Sequence, residues 1–266
     1  MNTPALKKSL GQHFLKTPHI CERMVARLNL TNATNILEIG PGAGALTRVL
    51  EQSPHALLLL LEKDAFWATE RQKAAAPTTQ CILQDALTFD FSRIKKNWTI
   101  IGNLPYNIAS PLLWDCTQKA SFAEALFMVQ KEVAERITAG PGSKRYGALS
   151  IWIQSFVTAK YCFTVPPAAF TPPPKVDSGV VHFLPKKERV DPALLPHLKR
   201  LLALCFQKRR KQIGTILRTA HIANAQAILA QASVRETQRP EELSPETFHF
   251  LARLLACVLT DCTKVG

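Results

Sequence analysis

The sequence predicts an α/β fold: a largely parallel sheet covered by helices on both faces, followed by a small C-terminal all-helical domain. Three observations predict it. Short apolar runs alternate with segments of helical period, as strands buried beneath crossover helices do. One of these runs, Ile36 to Ile39, leads straight into the turn Gly40-Pro41-Gly42-Ala43-Gly44. After Pro185 the strand-like runs stop and only helical periodicity continues.

Taken in chain order, a helical pattern near His19 to Leu28 precedes the first apolar strand, Asn35 to Ile39. A helix over Ala45 to Gln52 follows the glycine turn, then the strand Ala56 to Leu61, a helix over Ala65 to Ala75, and the strand Gln80 to Gln84. The strand Trp98 to Gly102, a helix over Ala109 to Lys119 and the strand Ala125 to Val129 continue the alternation. Helices over Lys131 to Thr138 and Gly147 to Val157 come next, before strands at Lys160 to Val165 and Gly179 to Leu184. Between those last two strands lie Pro166, Pro167, Pro172, Pro173 and Pro174, which lack the N–H a helix needs, so the link is an extended loop and the pair antiparallel. Beyond Pro185, Leu194 to Phe206, Gln212 to Thr219, Ala223 to Ala232 and Pro245 to Leu259 all read as helices. The domains are therefore expected at residues 1–185 and 186–266.

The 266 residues carry 33 Lys and Arg against 20 Asp and Glu, a formal charge of +13, while 47% are hydrophobic. That apolar share builds a core and excludes a disordered polycation; the charge suits a polyanion, either nucleic acid or an anionic membrane surface. Much of the charge is local: Lys186 to Arg218 holds ten basic and two acidic residues, a net of +8. The seven cysteines are scattered without a CxxC pair, and the histidines show no HxxxH spacing, so reduced thiols and no metal are expected. Met1 to Leu15 lacks the apolar core of a signal peptide, and runs such as Ala56 to Leu61 are too short to span a bilayer. A cytoplasmic protein without membrane attachment is expected.

A strand that runs into a glycine turn and then a helix lets backbone approach a ligand at the carboxyl end of a sheet, the Rossmann-like arrangement for a nucleotide cofactor. Gly40 and Gly42 take those positions. Glu62 closes the next strand, 22 residues after Gly40, where a carboxylate accepts from ribose hydroxyls. Spacing alone leaves a nicotinamide dinucleotide open, because Gly40, Gly42 and Ala45 also satisfy the looser dinucleotide pattern. Two further features tilt toward S-adenosylmethionine. Asp85 ends the third strand of this series and can accept from an adenine amino group, and Asn103-Leu104-Pro105-Tyr106 follows the next.

That tetrapeptide suits methylation of an exocyclic amine, a poor nucleophile because its lone pair is delocalised into the ring. The Asn103 oxygen and the Leu104 carbonyl, kept available by Pro105, can accept both N–H hydrogens and hold the nitrogen against a methyl donor. Tyr106 offers a flat face for the base, a contact worth roughly 1–3 kcal/mol. The base must leave its stack to enter, which is cheapest in a loop. Lys208, Arg209, Arg210 and Lys211, with Arg200 and Arg218 nearby, could grip phosphates, and Lys7, Lys8, Lys16, Arg23 and Arg27 form a second basic group.

With these residues in place the chain resembles the bacterial small-subunit (16S) rRNA adenine N6-dimethyltransferases, the KsgA/RsmA family. The resemblance runs through Lys8 to Leu15, Glu38 to Gly44, Asn103 to Ile108, Gln130 to Val133, Phe170 to Ser178 and Phe206 to Lys211, in that order. It implies a class I S-adenosylmethionine-dependent methyltransferase sheet, two adjacent adenosines near the 3′ end of 16S rRNA as target, a pre-30S particle as partner and a monomeric enzyme. It also implies that His13 and Leu15 cover the methionine end of the cofactor beside Gly40, that Asn103 contacts both the cofactor and the target amine, and that Phe170 stacks on the target adenine opposite Tyr106. His13 departs from the Asn found in many relatives and could contact the cofactor through side chain or backbone. The macrolide-resistance type of large-subunit methyltransferase and a non-catalytic ribosome-assembly factor are the alternatives; Leu104 and the triple proline favour the first family, and the intact Asn103 to Tyr106 motif favours catalysis.

Overall fold

The computed structural model describes residues 13–207 and 211–261, with side chains as far as Ala256. The chain divides into two compact units, residues 1–135 with 157–185 and residues 136–156 with 186–266. The expected boundary at 185/186 is one of the crossings between them, and the segment 136–156 is grouped with the second unit.

The first unit opens with β1 (Phe14–Leu15) and α1 (Pro18–Val25), then β2 (Asn35–Ile39), α2 (Ala45–Glu51), β3 (Leu57–Glu62), α3 (Ala65–Ala74) and β4 (Thr79–Leu83). It continues through β5 (Trp98–Asn103), α4 (Ala109–Lys119), β6 (Glu124–Gln130) and the start of α5 (Lys131–Thr138). Seven strands form one sheet in the order β4-β3-β2-β5-β6-β9-β7, parallel from β4 to β6. The last two, β7 (Val157–Val165) and β9 (Ser178–Pro185), are antiparallel to each other, as the proline-rich link requires, and β9 is antiparallel to β6. The order reverses between β2 and β5, so the carboxyl ends of these strands form the switch-point crevice where open α/β sheets take ligands.

Alternate residues explain the double cover. Ile36, Leu58, Leu60, Ile101, Leu126 and Met128 pack with Ile20 and Met24 of α1 and Leu46 and Leu50 of α2. Their neighbours Leu37, Ile39, Ile100 and Phe127 are buried too, so the central strands have no solvent face and read as continuous apolar runs. On α4 the buried set Ala109, Leu112, Leu113 and Cys116 has the i, i+3, i+4, i+7 spacing of one helical face.

A small second sheet was not foreseen. β1 pairs antiparallel with β8 (Phe170–Thr171), Phe14 opposite Thr171 and Leu15 opposite Phe170. In the second unit α6 (Ala148–Gln154), α7 (Leu195–Gln207), α8 (Ile213–Thr219), α9 (Ala225–Gln231) and α10 (Pro245–Asp261) bear out the all-helical expectation. Leu198, Leu201, Leu202 and Cys205 of α7 and Phe248, Leu251 and Ala252 of α10 are among its buried residues.

Candidate active site

The cavity at the switch point is floored by the turn after β2. Gly40, Gly42 and Gly44 all have positive φ, +69°, +49° and +76°, a region only glycine enters without strain. A Cβ placed on Gly40 would meet nothing within 4 Å, so the turn is a cradle open to the cavity. At Gly42 the same atom would lie 2.7 Å from Phe14 Cε1, because that ring packs down on the turn.

Glu62, at the end of β3, is buried, its Oε2 accepting from Gly42 N at 3.0 Å and its Oε1 from Asp64 N at 2.8 Å. Burial raises its pKa and these amide donors oppose the rise. Asp85 follows β4; its Oδ1 accepts from Leu87 N at 3.0 Å and its Oδ2 faces Lys63 Nζ at 2.7 Å. The hydrogen bond from Lys63 holds this carboxyl below its ordinary value. Beneath the turn, Glu38 is 1% exposed and its Oε2 accepts from Thr47 Oγ1 at 2.7 Å; burial pushes its pKa up to about 8.

On the other side of the cavity, Asn103 ends β5 and its Nδ2 donates to the His13 carbonyl at 3.0 Å. That bond fixes the carboxamide and leaves Oδ1 as the atom able to accept. Leu104 N donates to Met128 O at 3.0 Å, the last tie to the sheet before Pro105 turns the chain into α4. Tyr106 is tied by a 2.8 Å hydroxyl contact to the buried Ser178 Oγ. Its ring centroid lies 5.5 Å from that of His13, whose Nδ1 donates to the Pro172 carbonyl at 2.8 Å.

The cavity thus brings together His13, Leu15, Gly40, Gly42, Glu62, Asp85, Asn103, Leu104 and Tyr106. Phe170 does not join them. It is 1% exposed, packs with the core residues beneath α1, and is not among the residues that line this cavity. Lys208, Arg209 and Arg210 lie outside the described residues, and Lys211 is exposed. Sequence reasoning missed Phe14 and Lys63. Phe14 carries no local signal, since its role depends on β1 crossing the turn. Lys63 could have been found from the pairing of β3 with β4, which brings the residue after Glu62 beside the residues after Leu83. Glu38, a lone carboxylate in an apolar strand, was visible but unused. Among the described residues no group of three or more His, Cys, Asp or Glu could hold a metal ion, and no helix is long and apolar enough to cross a membrane.

A doubly covered sheet whose switch point holds an open glycine cradle, flanked by the carboxylates of Glu62 and Asp85, is the architecture of the class I S-adenosylmethionine-dependent methyltransferases. Residues 4–256 match the family model for ribosomal RNA adenine dimethylase, and the chain belongs to that family. It is an S-adenosylmethionine-dependent rRNA adenine dimethyltransferase, and the open face at Gly40 with the carboxylates of Glu62 and Asp85 fits that cofactor. The chain is 49% identical over 259 residues to the ribosomal RNA small subunit methyltransferase A of Nitratidesulfovibrio vulgaris strain Hildenborough, covering 95% of this chain and 97% of the relative. The protein of the same name from Oleidesulfovibrio alaskensis is 45% identical, covering 98% and 95%. Among solved structures, a dimethyladenosine transferase from Plasmodium falciparum has a TM-score of 0.78 at 23% identity, covering 92% of this chain and 98% of that one. The 23S rRNA methyltransferase ErmE has a TM-score of 0.70 at 24% identity, covering 91% and 99%. These two likenesses show the fold.

Proposed function

We propose that this enzyme dimethylates N6 of two adjacent adenosines in a loop near the 3′ end of 16S rRNA, acting as a cytoplasmic monomer on a pre-30S particle. The observation that carries the chemistry is the clamped Asn103 carboxamide beside Tyr106, at the mouth of the glycine cradle. The small-subunit choice is supported by the relatives at 45% and 49% identity, which are ribosomal RNA small subunit methyltransferases A.

When bound, the cofactor supplies a methyl group on a sulfonium centre. Glu62 holds the ribose hydroxyls with the lone pairs that its backbone amide donors leave free. Asp85, fixed by Lys63 and Leu87 N, receives the adenine amino group of the cofactor. Asn103 Oδ1 and the Leu104 carbonyl accept the two N–H hydrogens of the target amine and aim its lone pair. Tyr106, anchored through Ser178, stacks on the target base. The proton that the amine loses becomes acidic only once the new N–C bond forms, and water takes it. Residues 1–185 form the methyltransferase part and 186–266 the rRNA-binding part, where Lys208, Arg209, Arg210 and Lys211 hold phosphates.

The test is to supply purified protein with labelled cofactor and unmodified small subunits, then map the label to the nucleotide. Two adjacent adenosines, each with two methyls, are expected. Label on large-subunit RNA instead would replace this reading with the macrolide-resistance type.

A further inference from the structure

Some cations of the first unit are ion-paired and others, Arg71, Lys95, Lys96 and Lys175 among them, have no ion-pair partner among the described residues. Lys63, Lys73, Arg93, Lys119 and Lys131 each face a carboxylate within ion-pair distance. Lys16, Arg23, Arg27, Arg48 and Lys160 have no ion-pair partner among the described residues.

Local structure brings these five to one face. Arg23 and Arg27 are one helical turn apart at the end of α1 and beyond it. The register of β7 against β9 shifts between Tyr161 and Phe163, so Cys162 and Phe163 both turn toward α1, and Lys160, two residues before Cys162, lies on that same face. Arg23 is held across this junction, its guanidinium 4.0 Å from the centroid of Phe163. Burial raises the Cys162 thiol, while the positive charges of Arg27 and Lys160 pull it back; Arg48 does the same to Cys21 on α1. Lys16 directly follows Leu15 of the cavity wall, so the row of charge starts at the rim of the active site. Lys16, Arg27, Arg48 and Lys160 are exposed. The single acidic residue of α1, Glu22, is engaged by His19 at 3.7 Å.

We propose that this α1/β7 face is a docking surface for the phosphodiester backbone flanking the target base, an inference that rests on the rRNA reading above. Guanidinium forks match phosphate oxygens, and uncompensated cations beside the pocket would hold the strand while the base is drawn out of its stack. A membrane surface fits less well. None of the large exposed hydrophobic residues lies on α1 or β7, so this face has nothing to insert among acyl chains.

The test is binding of unmodified small subunits across a salt series. Each phosphate contact contributes roughly 0.7 to 0.9 to the slope of log K against log salt. The variant R23Q/R27Q/K160Q should lower the slope by about 2 and, near 0.1 M salt, weaken binding about 100-fold, with S-adenosylmethionine affinity unchanged by calorimetry. R27Q/K160Q leaves the Arg23 ring contact intact and should lower the slope by about 1.5, which separates lost contacts from a packing defect. K73Q/R93Q/K119Q removes the same formal charge from ion-paired positions and should leave the slope unchanged. An unchanged slope in the first two variants, or an equal loss in the third, would overturn the docking surface. Wild-type protein that neither binds nor methylates these particles would instead overturn the rRNA reading itself.

Discussion

Glu38 sits buried beneath the glycine cradle, and substituting Gln should make the protein more stable in a pH-dependent way. The carboxyl is 1% exposed, and burial raises its pKa from the ordinary 4.5 to about 8. In the unfolded chain it ionises at the ordinary value. Below 4.5 both states carry the proton and the group costs nothing. As pH rises toward 8 the folded state must keep a proton that the unfolded state has released, so stability falls by about 1.4 kcal/mol per pH unit and levels off above 8. The cost is roughly 3 kcal/mol at pH 7 and at most about 5 kcal/mol at pH 8. A Gln at this position has no proton to keep, and its amide oxygen can still accept from Thr47, whose hydroxyl now donates to Glu38 at 2.7 Å. Urea unfolding of wild type and Glu38→Gln at several pH values from 4.5 to 8 gives the difference directly. It should be near zero at the acid end and grow to several kcal/mol at pH 8. A difference that stays flat across this range would refute the claim that Glu38 is held protonated.

Two further substitutions probe the site. Asn103→Ala should bind S-adenosylmethionine within a few-fold of wild type yet lose roughly 100- to 1000-fold in kcat, because the acceptor for the target amine is gone; single-turnover methylation and calorimetry measure both. Gly42→Ala places a Cβ 2.7 Å from Phe14 Cε1 at a φ of +49° and should weaken cofactor binding strongly. Adding Phe14→Ala should recover part of that loss, and strict additivity in the double-mutant cycle would show that the ring is not the obstacle.

Elements with a period of their own were legible in the sequence. β2, α4 and α5 begin and end where their patterns do, at Asn35–Ile39, Ala109–Lys119 and Lys131–Thr138. The cavity-lining residues Gly40, Glu62, Asp85 and Asn103 were legible as well, because each ends or follows a strand and parallel pairing gathers those ends on one side. What escaped depends on contacts between distant segments. β1 and β8 have two residues each, too few to show alternation, so neither their pairing nor the burial of Phe170 could be read from the chain. Two of the cations counted in the second unit also have acidic partners outside the counted stretch. Lys186 meets Glu246 at 3.4 Å and Arg218 is bonded to Glu236, acids that lie beyond the window in which the excess was counted.

The union of β1 with β8 also sets a timetable for the newly made enzyme. Phe14 and Thr171, which face each other across it, are 157 positions apart, so the wall over the cradle is among the most non-local contacts of the first unit. A chain still emerging from the ribosome can assemble β2 to β5, with Gly40, Glu62, Asp85 and Asn103 all present, and still lack the partner that holds His13 and Phe14 in place. The methyl-donor site is complete only once Thr171 and Pro172 have been released. Until then, a half-synthesised methyltransferase has no finished place to load the donor.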